Sequence, residues 1–240
     1  MKRTLLGTHL WIEQNRSQAF NLDTILLADF VRIPKRTKHI LDIGTGAGAL
    51  MLYMSQKSKA HITGIEVQEN RYQQAVKNIE LNHLEDRLSC IHQDVKTLTH
   101  QPFDVILSNP PFFKMEDHHK VSQDQEDFIA RHEVLLDLES LIQSASRLLK
   151  YSGYFFLIHR PERMQEITEL MSKHKLAIKR VRFVHPYKDQ KANHVLIEAV
   201  KEGSYGLALE PPLILYESKH VLTEEMNNIY GGRSYVTIYT

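Results

Sequence analysis

The sequence predicts an α/β domain built on a mostly parallel, seven-stranded sheet, with helices on both faces and an antiparallel last strand. Two observations predict it. From residue 38 onward, short apolar runs alternate with longer segments of helical periodicity, a pattern typical of parallel sheets covered on both faces. The last two strand-like runs, 177–184 and 194–200, follow each other without an intervening helix, and this spacing suits an antiparallel pair.

The first half of the chain contributes four of the strands and three helices. Predicted strands occupy residues 39–43, 61–66, 88–92 and 103–107. Predicted helices occupy residues 21–32, 47–56 and 69–82. The first helix is predicted because its apolar positions cluster on one side, and the third because Tyr72, Ala75 and Ile79 fall on one face. The second helix follows a glycine-rich turn directly.

The second half completes the sheet. Predicted strands occupy residues 153–159, 177–184 and 194–200, and predicted helices occupy residues 134–149 and 161–174. Pro161 supports the start of the second of these helices, because proline is favoured in the first helical turn. The polar connection 109–133 is long for a compact domain, and such loops are typically lids or binding loops.

Three regions follow from this pattern. Residues 1–36 are predicted to form a helical N-terminal flap packed on a core domain at 37–202. Residues 203–240 are predicted to form a β-like extension packed on that core, with short strand-like runs at 212–216 and 234–239.

Composition restricts the function more than it defines it. The 240 residues fit one large domain, and the net charge of +1 gives no global signal for nucleic acid. A single cysteine, Cys90, and the absence of a signal peptide or an apolar run long enough to span a membrane predict a cytoplasmic protein without a membrane partner. The 14 histidines show no metal-ligand spacing, so no metal site is expected.

The turn after the first strand of the predicted sheet has the features of a nucleotide-binding loop. Gly44, Gly46 and Gly48 follow that strand and precede a helix, so backbone N–H groups can approach a ligand there. The glycines alone also fit a dinucleotide. Asp42 favours a different cofactor, because a carboxylate repels a pyrophosphate but can hold the ammonium group of S-adenosylmethionine.

Acidic residues follow the next two strands as well. Glu66 ends the second strand, where its carboxylate can accept hydrogen bonds from two ribose hydroxyls, and Val67 is placed beside it at the cofactor. Asp94 follows the third strand and can accept a hydrogen bond from an adenine amine, with Val95 packing on the ring. The alternatives are a helix-start carboxylate for Glu66 and a plain Asp turn for Asp94.

The fourth strand runs into Asn109, Pro110, Pro111 and Phe112. Proline forces the residue before it into an extended conformation, so the Asn109 side-chain oxygen and the Pro110 carbonyl can both face one cleft. Two acceptors that hold an NH2 group favour a more tetrahedral nitrogen during methyl transfer. Phe112 offers a flat face for a planar substrate, and Phe113 either stacks there too or anchors the loop.

Asp42, Glu66, Asp94 and Asn109 each follow a different predicted strand, so all four are expected at one edge of the sheet, where ligands bind in such folds. With LDIGTGAGAL, GIEVQEN, HQD and NPPFF, the chain resembles class I S-adenosylmethionine-dependent methyltransferases of the Asn-Pro-Pro-(Tyr/Phe) type, which have a Rossmann-like fold. More closely, through FNLDTILLADF, ARHE and PLILYE, it resembles the bacterial tRNA(Val) adenine N6-methyltransferase family. The resemblance implies methylation of the adenine beside the anticodon, with Asn109 and Pro110 holding the amine and Phe112 where many relatives have tyrosine.

The acceptor is the least defined part of this prediction. The basic segment 171–191, with Lys179, Arg180 and Arg182, is either a solvated face, as most charge runs are, or a phosphate-binding rim, and it favours a nucleic acid over a protein acceptor. Arg131 either contacts a phosphate or opens the next helix. We therefore expect an RNA substrate, with tRNA implied by the resemblance, and a monomer without an obligate protein partner. Protein glutamine N5-methylation, DNA adenine methylation, a non-catalytic RNA-binding module and an NAD-binding oxidoreductase remain as alternatives.

Overall fold

The computed structural model describes residues 2–14, 22–111 and 136–232. The strands are β1 (Lys2–Thr4), β2 (Trp11–Glu13), β3 (His39–Ile43), β4 (His61–Glu66), β5 (Leu88–His92), β6 (Phe103–Ser108), β7 (Leu149–His159), β8 (Leu176–His185), β9 (His194–Lys201), β10 (Ala208–Leu209), β11 (Leu213–Ile214), β12 (Tyr216–Ser218) and β13 (Val221–Leu222). The α-helices are α1 (Leu22–Phe30), α2 (Ala49–Lys57), α3 (Glu69–Leu81), α4 (Leu138–Leu148), α5 (Met164–Lys173) and α6 (Glu224–Tyr230).

The predicted α/β sheet is confirmed. Its path is β10-β8-β9-β7-β6-β3-β4-β5, with β11 also paired to β8. Strands β3 to β7 pair in parallel, whereas β9 is antiparallel to both of its neighbours, β7 and β8. The seven predicted strands are therefore present, and two short strands extend the edge at β8. The chain reverses its direction of travel through the sheet at β3, which lies between β4 and β6, and this is the switch point at which such sheets bind ligands.

Each face of the sheet is buried by its own helices. Consecutive strand residues point to opposite faces, so Ile40 joins one hydrophobic cluster and Leu41 the other, and Phe156 and Phe155 divide in the same way. The first cluster includes residues of α1, α2 and α6, and the second includes residues of α4 and α5. The central strands are consequently covered on both faces, as their continuous apolar character predicts.

Several boundaries differ from the predicted ones. The N-terminal region is not helical throughout: β1 and β2 form a hairpin. The amide of Glu13 donates to the side chain of Asn78 on α3, and that of Trp11 donates to the side chain of Asn82 just after α3, each at 2.7 Å. The helix predicted from residue 134 begins at Leu138, because the Asp137 side chain accepts from the backbone N–H of Ser140 at 2.8 Å and caps the first turn.

The C-terminal region is more helical than predicted. Its run at 212–216 contributes β11 and the first residue of β12, and α6 follows the small β12–β13 hairpin. The predicted run at 234–239 lies outside the described residues. Since β10 and β11 pair with β8, this region joins the main sheet, and the division into three regions stays a prediction.

Two buried cations hold the C-terminal end of α1. The last carbonyl groups of a helix have no partner within it. Lys57 on α2 donates from Nζ to the carbonyl oxygens of Ala28 at 2.8 Å, Asp29 at 3.1 Å and Val31 at 2.7 Å. Arg180 on β8 donates from Nη2 to the carbonyl oxygen of Phe30 at 2.8 Å. This arrangement fixes α1 on the sheet without a C-terminal glycine.

None of the helices within the described ranges is long and apolar enough to cross a membrane.

We expect Lys57→Met to lower the free energy of unfolding by about 1–3 kcal/mol, because it leaves buried carbonyl groups at the end of α1 without their donor. Urea unfolding followed by circular dichroism measures this. Lys35→Met, at an exposed position after α1, is the control and should change stability by less than about 0.5 kcal/mol. Equal stability of the two variants would contradict this role of Lys57.

Candidate active site

The register of three parallel strands brings the predicted site residues to one edge. Asp42 on β3 lies opposite Gly64 on β4 and opposite Leu107 on β6. Ser108, the last residue of β6, lies opposite Ile43, and its hydroxyl donates to the Ile43 carbonyl oxygen at 3.0 Å. Asn109 therefore leaves the sheet beside the glycine turn that follows β3.

The glycine turn needs backbone conformations that other residues rarely adopt. Gly44, Gly46 and Gly48 have φ values of 72°, 58° and 82°, which lie in the left-handed region. The turn packs closely on the neighbouring strand. A Cβ on Gly64 would lie 2.4 Å from Met51 Sδ and 2.7 Å from Thr45 Cγ2. Glycine is thus required both in the turn and beneath it.

Asp42 is a buried carboxylate at the centre of this edge. It is 1% exposed, and its Oδ2 accepts a hydrogen bond from the Thr45 hydroxyl at 2.6 Å. Burial raises the pKa of Asp42 to about 7, the Thr45 hydrogen bond opposes this shift, and the nearby Glu66 charge adds to it. A carboxylate in this state gains from a cationic partner, as an ammonium group would be.

Glu66 holds the glycine turn through its side chain. Its Oε2 accepts from the Gly46 N–H at 3.0 Å, and its Oε1 accepts from the Gln68 N–H at 2.9 Å. A carboxylate oxygen has two lone pairs, so each oxygen keeps an acceptor position for a hydroxyl group. Glu66 therefore orders local backbone, and its binding of a ribose stays a prediction.

Arg71 on α3 is a site residue that was not predicted from the sequence. A Cβ on Gly46 would lie 3.1 Å from its Nη1, which places the guanidinium over the glycine turn. Burial lowers the pKa of Arg71, and the charge of Glu66 opposes that shift. The sequence signal for Arg71 is its place near Glu66, in the polar stretch at the start of α3, and that signal is weak by itself.

The residues after β5 have strong structural roles. Asp94 accepts from the Lys96 N–H at 2.9 Å and pairs with Lys96 Nζ at 3.3 Å, so it caps the 3₁₀ turn 95–97. Val95 is 4% exposed and belongs to the core cluster beneath α4, whereas Val67 is 37% exposed at the end of β4. Val67 is therefore better exposed to a ligand ring than Val95.

Asn109 is anchored by a side chain from α1. Its Nδ2 donates to Thr24 Oγ1 at 3.0 Å. In the described part of the chain, no donor is bound to its Oδ1, so that oxygen keeps its acceptor capacity. Pro110 is half-buried and Pro111 is exposed. Phe112, Phe113 and Arg131 lie outside the described residues.

The predicted basic rim is largely occupied by contacts within the fold. Arg180 is 6% exposed, pairs with Glu198 and Glu210, and stacks on Phe30 at 3.7 Å from the ring centroid. It is therefore not on an exposed rim as expected, because its charge is neutralised inside the protein. Arg182 bonds to the Pro211 carbonyl oxygen and to Glu225.

Lys179 is half-buried, and its Nζ donates to the carbonyl oxygen of Ser204 at 2.9 Å. Lys188 and Lys191 are exposed on the turn after β8, which lies at the same edge of the sheet as Asn109. The exposed basic side chains at this edge therefore belong to that turn more than to β8.

Within the described residues, no group of three or more His, Cys, Asp or Glu side chains could hold a metal ion.

Comparison with known proteins identifies the family of this chain. A family model described as the methyltransferase small domain matches residues 21–185. A protein from Christiangramia forsetii named tRNA1(Val) (adenine(37)-N6)-methyltransferase is 32% identical over 225 residues, which cover 91% of this chain and 92% of that protein. A protein of the same name from Phocaeicola vulgatus is 31% identical over 204 residues and covers 85% of each chain.

Solved structures confirm the fold expected from the resemblance. A predicted O-methyltransferase from Agrobacterium tumefaciens superposes with a TM-score of 0.69 at 24% identity, covering 88% of this chain and 97% of that one. Geranyl diphosphate C-methyltransferase from Streptomyces coelicolor, crystallised with S-adenosyl-L-homocysteine, superposes with a TM-score of 0.56 at 14% identity and covers 74% of this chain and 78% of that one. At these identities the similarity establishes the class I fold.

We expect Asp42→Asn to become progressively more stable relative to the unchanged protein as pH rises from about 5 to about 7.5. A raised acid pKa means that the folded protein keeps a proton which the unfolded chain releases near pH 4, so stability falls as pH rises toward 7. The variant lacks this titration. The difference approaches about 4 kcal/mol at most, since one pKa unit corresponds to about 1.4 kcal/mol.

Urea unfolding of both proteins at half-unit pH intervals measures this difference, and subtracting the two profiles removes the titration of shared groups. A difference that stays constant across the range would show that Asp42 is ionised in the folded protein throughout.

Proposed function

We propose that this chain methylates N6 of an adenine in tRNA with S-adenosylmethionine. The chain belongs to the methyltransferase small domain family, and it belongs to the family of its relatives named tRNA1(Val) (adenine(37)-N6)-methyltransferase. The observation that carries the proposal is Asn109. Its amide nitrogen is bonded to Thr24, which leaves an oxygen acceptor at the carboxyl edge of β6 beside the glycine turn.

The residues around the glycine turn fit the cofactor. When bound, S-adenosylmethionine supplies a methyl group on a positively charged sulfur. The turn at Gly44, Gly46 and Gly48 presents backbone to the ligand, the buried Asp42 carboxylate suits its ammonium group, and Glu66 suits its ribose hydroxyls. Asp94 would accept from the adenine amine, and Val67, which is more exposed than Val95, would contact the ring.

Asn109 and Pro110 would hold the amine of the substrate. An aromatic amine is a weak nucleophile because its lone pair is delocalised into the ring. Two acceptor oxygens that bind its N–H groups favour the tetrahedral nitrogen on which the lone pair is available, and they need no strong base, since the proton can leave after the methyl group has been transferred. The contribution of these residues is positioning and electrostatic matching. Phe112, after Pro111, would stack on the base.

The names of the relatives support a more specific acceptor, adenine 37 of a valine tRNA. The phosphates of such a substrate would contact Arg131 and Lys179, together with Lys188 and Lys191 on the turn after β8, whose exposure supports this role. Arg180 and Arg182 would act indirectly by holding β8. We further propose that the protein acts in the cytoplasm as a monomer, because its tRNA substrate is cytoplasmic and one adenine enters one cleft.

The direct test incubates the protein with labelled S-adenosylmethionine and total RNA from a strain that lacks it, followed by nucleoside mass spectrometry of separated tRNAs. We expect N6-methyladenosine to rise in one tRNA. Parallel reactions with the protein and the DNA of the same strain test the alternatives: label that enters only protein would instead support glutamine N5-methylation, and label that enters only DNA would support DNA adenine methylation.

We expect Asn109→Ala to lower the rate of methyl transfer at least about 100-fold, comparable to the loss of one preorganised polar group in other active sites, while the dissociation constant for S-adenosylmethionine changes less than about threefold. Single-turnover kinetics and calorimetry measure the two quantities. Asn227→Ala, at an exposed position in α6, is the matched control. Unchanged turnover of Asn109→Ala would refute the proposed role.

A further inference from the structure

The orientation of the Asn109 side chain decides what it can do. A primary amide has an acceptor oxygen on one side and a donor NH2 on the other, and a half-turn of the planar group exchanges them. Only the oxygen can accept from a substrate amine. An Asn109 amide turned the other way would present N–H groups to the N–H groups of the substrate, and the two would repel.

In the structure the Asn109 amide lies in one of these orientations, with its NH2 group toward Thr24. Asn109 Nδ2 donates to Thr24 Oγ1 at 3.0 Å, and Thr24 is 6% exposed. A hydroxyl oxygen can accept this bond from an NH2 group. Because threonine is branched at Cβ, its hydroxyl has few accessible rotamers in a helix, so it is a well-defined partner.

The first turn of α1, which carries Thr24, is itself fixed against the same edge of the sheet. Asp23 Oδ1 lies 2.9 Å from Nε2 of His194 at the start of β9, and both side chains are 8% exposed. The other end of α1 is held by the buried cations Lys57 and Arg180. Thr24 is consequently presented to Asn109 by a helix that is anchored at both ends.

We propose that Thr24 is a positioning residue whose hydroxyl accepts from the Asn109 NH2 group and thereby leaves the amide oxygen for the substrate amine. This rests on the proposed function, because it assigns Thr24 a role in the same amine-binding site. The bond has a second consequence. An amide that donates from its NH2 group is polarised, and its oxygen becomes a stronger acceptor. Thr24 thereby improves both the direction and the strength of the Asn109 contact.

The test compares Thr24→Val, which keeps the shape and removes the hydroxyl, with Thr24→Ser, which keeps the hydroxyl and removes the methyl group. We expect Thr24→Val to lower kcat about 10-fold, the size expected for loss of one net hydrogen bond, and to leave the dissociation constant for S-adenosylmethionine within about threefold. Thr24→Ser should retain kcat within about threefold. Thr168→Val, which removes an exposed hydroxyl bonded within α5, should leave kcat unchanged.

A spectroscopic measurement separates this proposal from the proposed function. In protein labelled with 15N at asparagine, the side-chain amide signals of Asn109 are those lost in Asn109→Ala. We expect them to move upfield in Thr24→Val and to stay in place in Thr24→Ser, because only the first variant lacks the acceptor. This holds even if the protein methylates no tRNA, an outcome that would refute the proposed function alone.

Three results would overturn the role of Thr24. One is an unchanged Asn109 signal in Thr24→Val. Another is a Thr24→Ser variant as slow as Thr24→Val, which would assign the effect to packing of the methyl group. The third is a Thr24→Val variant that keeps kcat and loses affinity for S-adenosylmethionine, which would assign the hydroxyl to the cofactor.

Discussion

The parallel pairing of β3 with β4 and β6 is the constraint on which the rest of the structure depends. Because all three strands run in one direction, their carboxyl ends lie at one edge, and the register sets Asp42 level with Gly64 and Leu107. The turns that leave these ends carry the glycines, Glu66 and Asn109. A shift of one residue in β6 would send every side chain of that strand to the opposite face, so the hydrophobic core that fixes the register also fixes where Asn109 lies relative to the glycine turn.

Helix α1 connects this edge to the rest of the protein. Its first turn contacts Asn109 through Thr24 and His194 through Asp23, and its last carbonyl groups are bonded to Lys57 and Arg180. Buried charges of this kind are costly to remove from water and are stable only when paired or fully hydrogen-bonded. Here both cations act on the same short helix. The buried charges of Lys57 and Arg180 therefore help to hold the helix whose first turn contacts Asn109.

The sequence predicted the sheet and the ends of its strands well, because continuous apolar runs and the turn residues that interrupt them are local signals. It placed Asp42, Glu66 and Asn109 at one edge of the sheet for the same reason, since each lies at or directly after the carboxyl end of a strand. It could not assign Thr24 or Arg180, whose partners are 85 and 150 residues away in the chain. The basic segment 171–191 was interpreted from its charge alone. In the structure, Arg180 of that segment forms ion pairs with Glu198 and Glu210, which bury part of the charge. Hairpin β1–β2 was missed because side-chain amides on α3 and just after it hold the hairpin, which no periodicity reveals.

The electrostatics of the edge also explain why a cationic cofactor suits it. Asp42 and Glu66 are both nearly buried, at 1% and 5% exposure, and the charge of Glu66 helps to raise the pKa of Asp42. Arg71 lies near Glu66 but is itself partly desolvated, so its charge is not a full compensation. An ammonium group at Asp42 and a positive sulfur nearby would offset the repulsion that the fold alone leaves in place. Cofactor binding and folding are then coupled through these two carboxylates. Their burial lowers the stability of the protein without a ligand, and the same burial strengthens their attraction to a positively charged ligand.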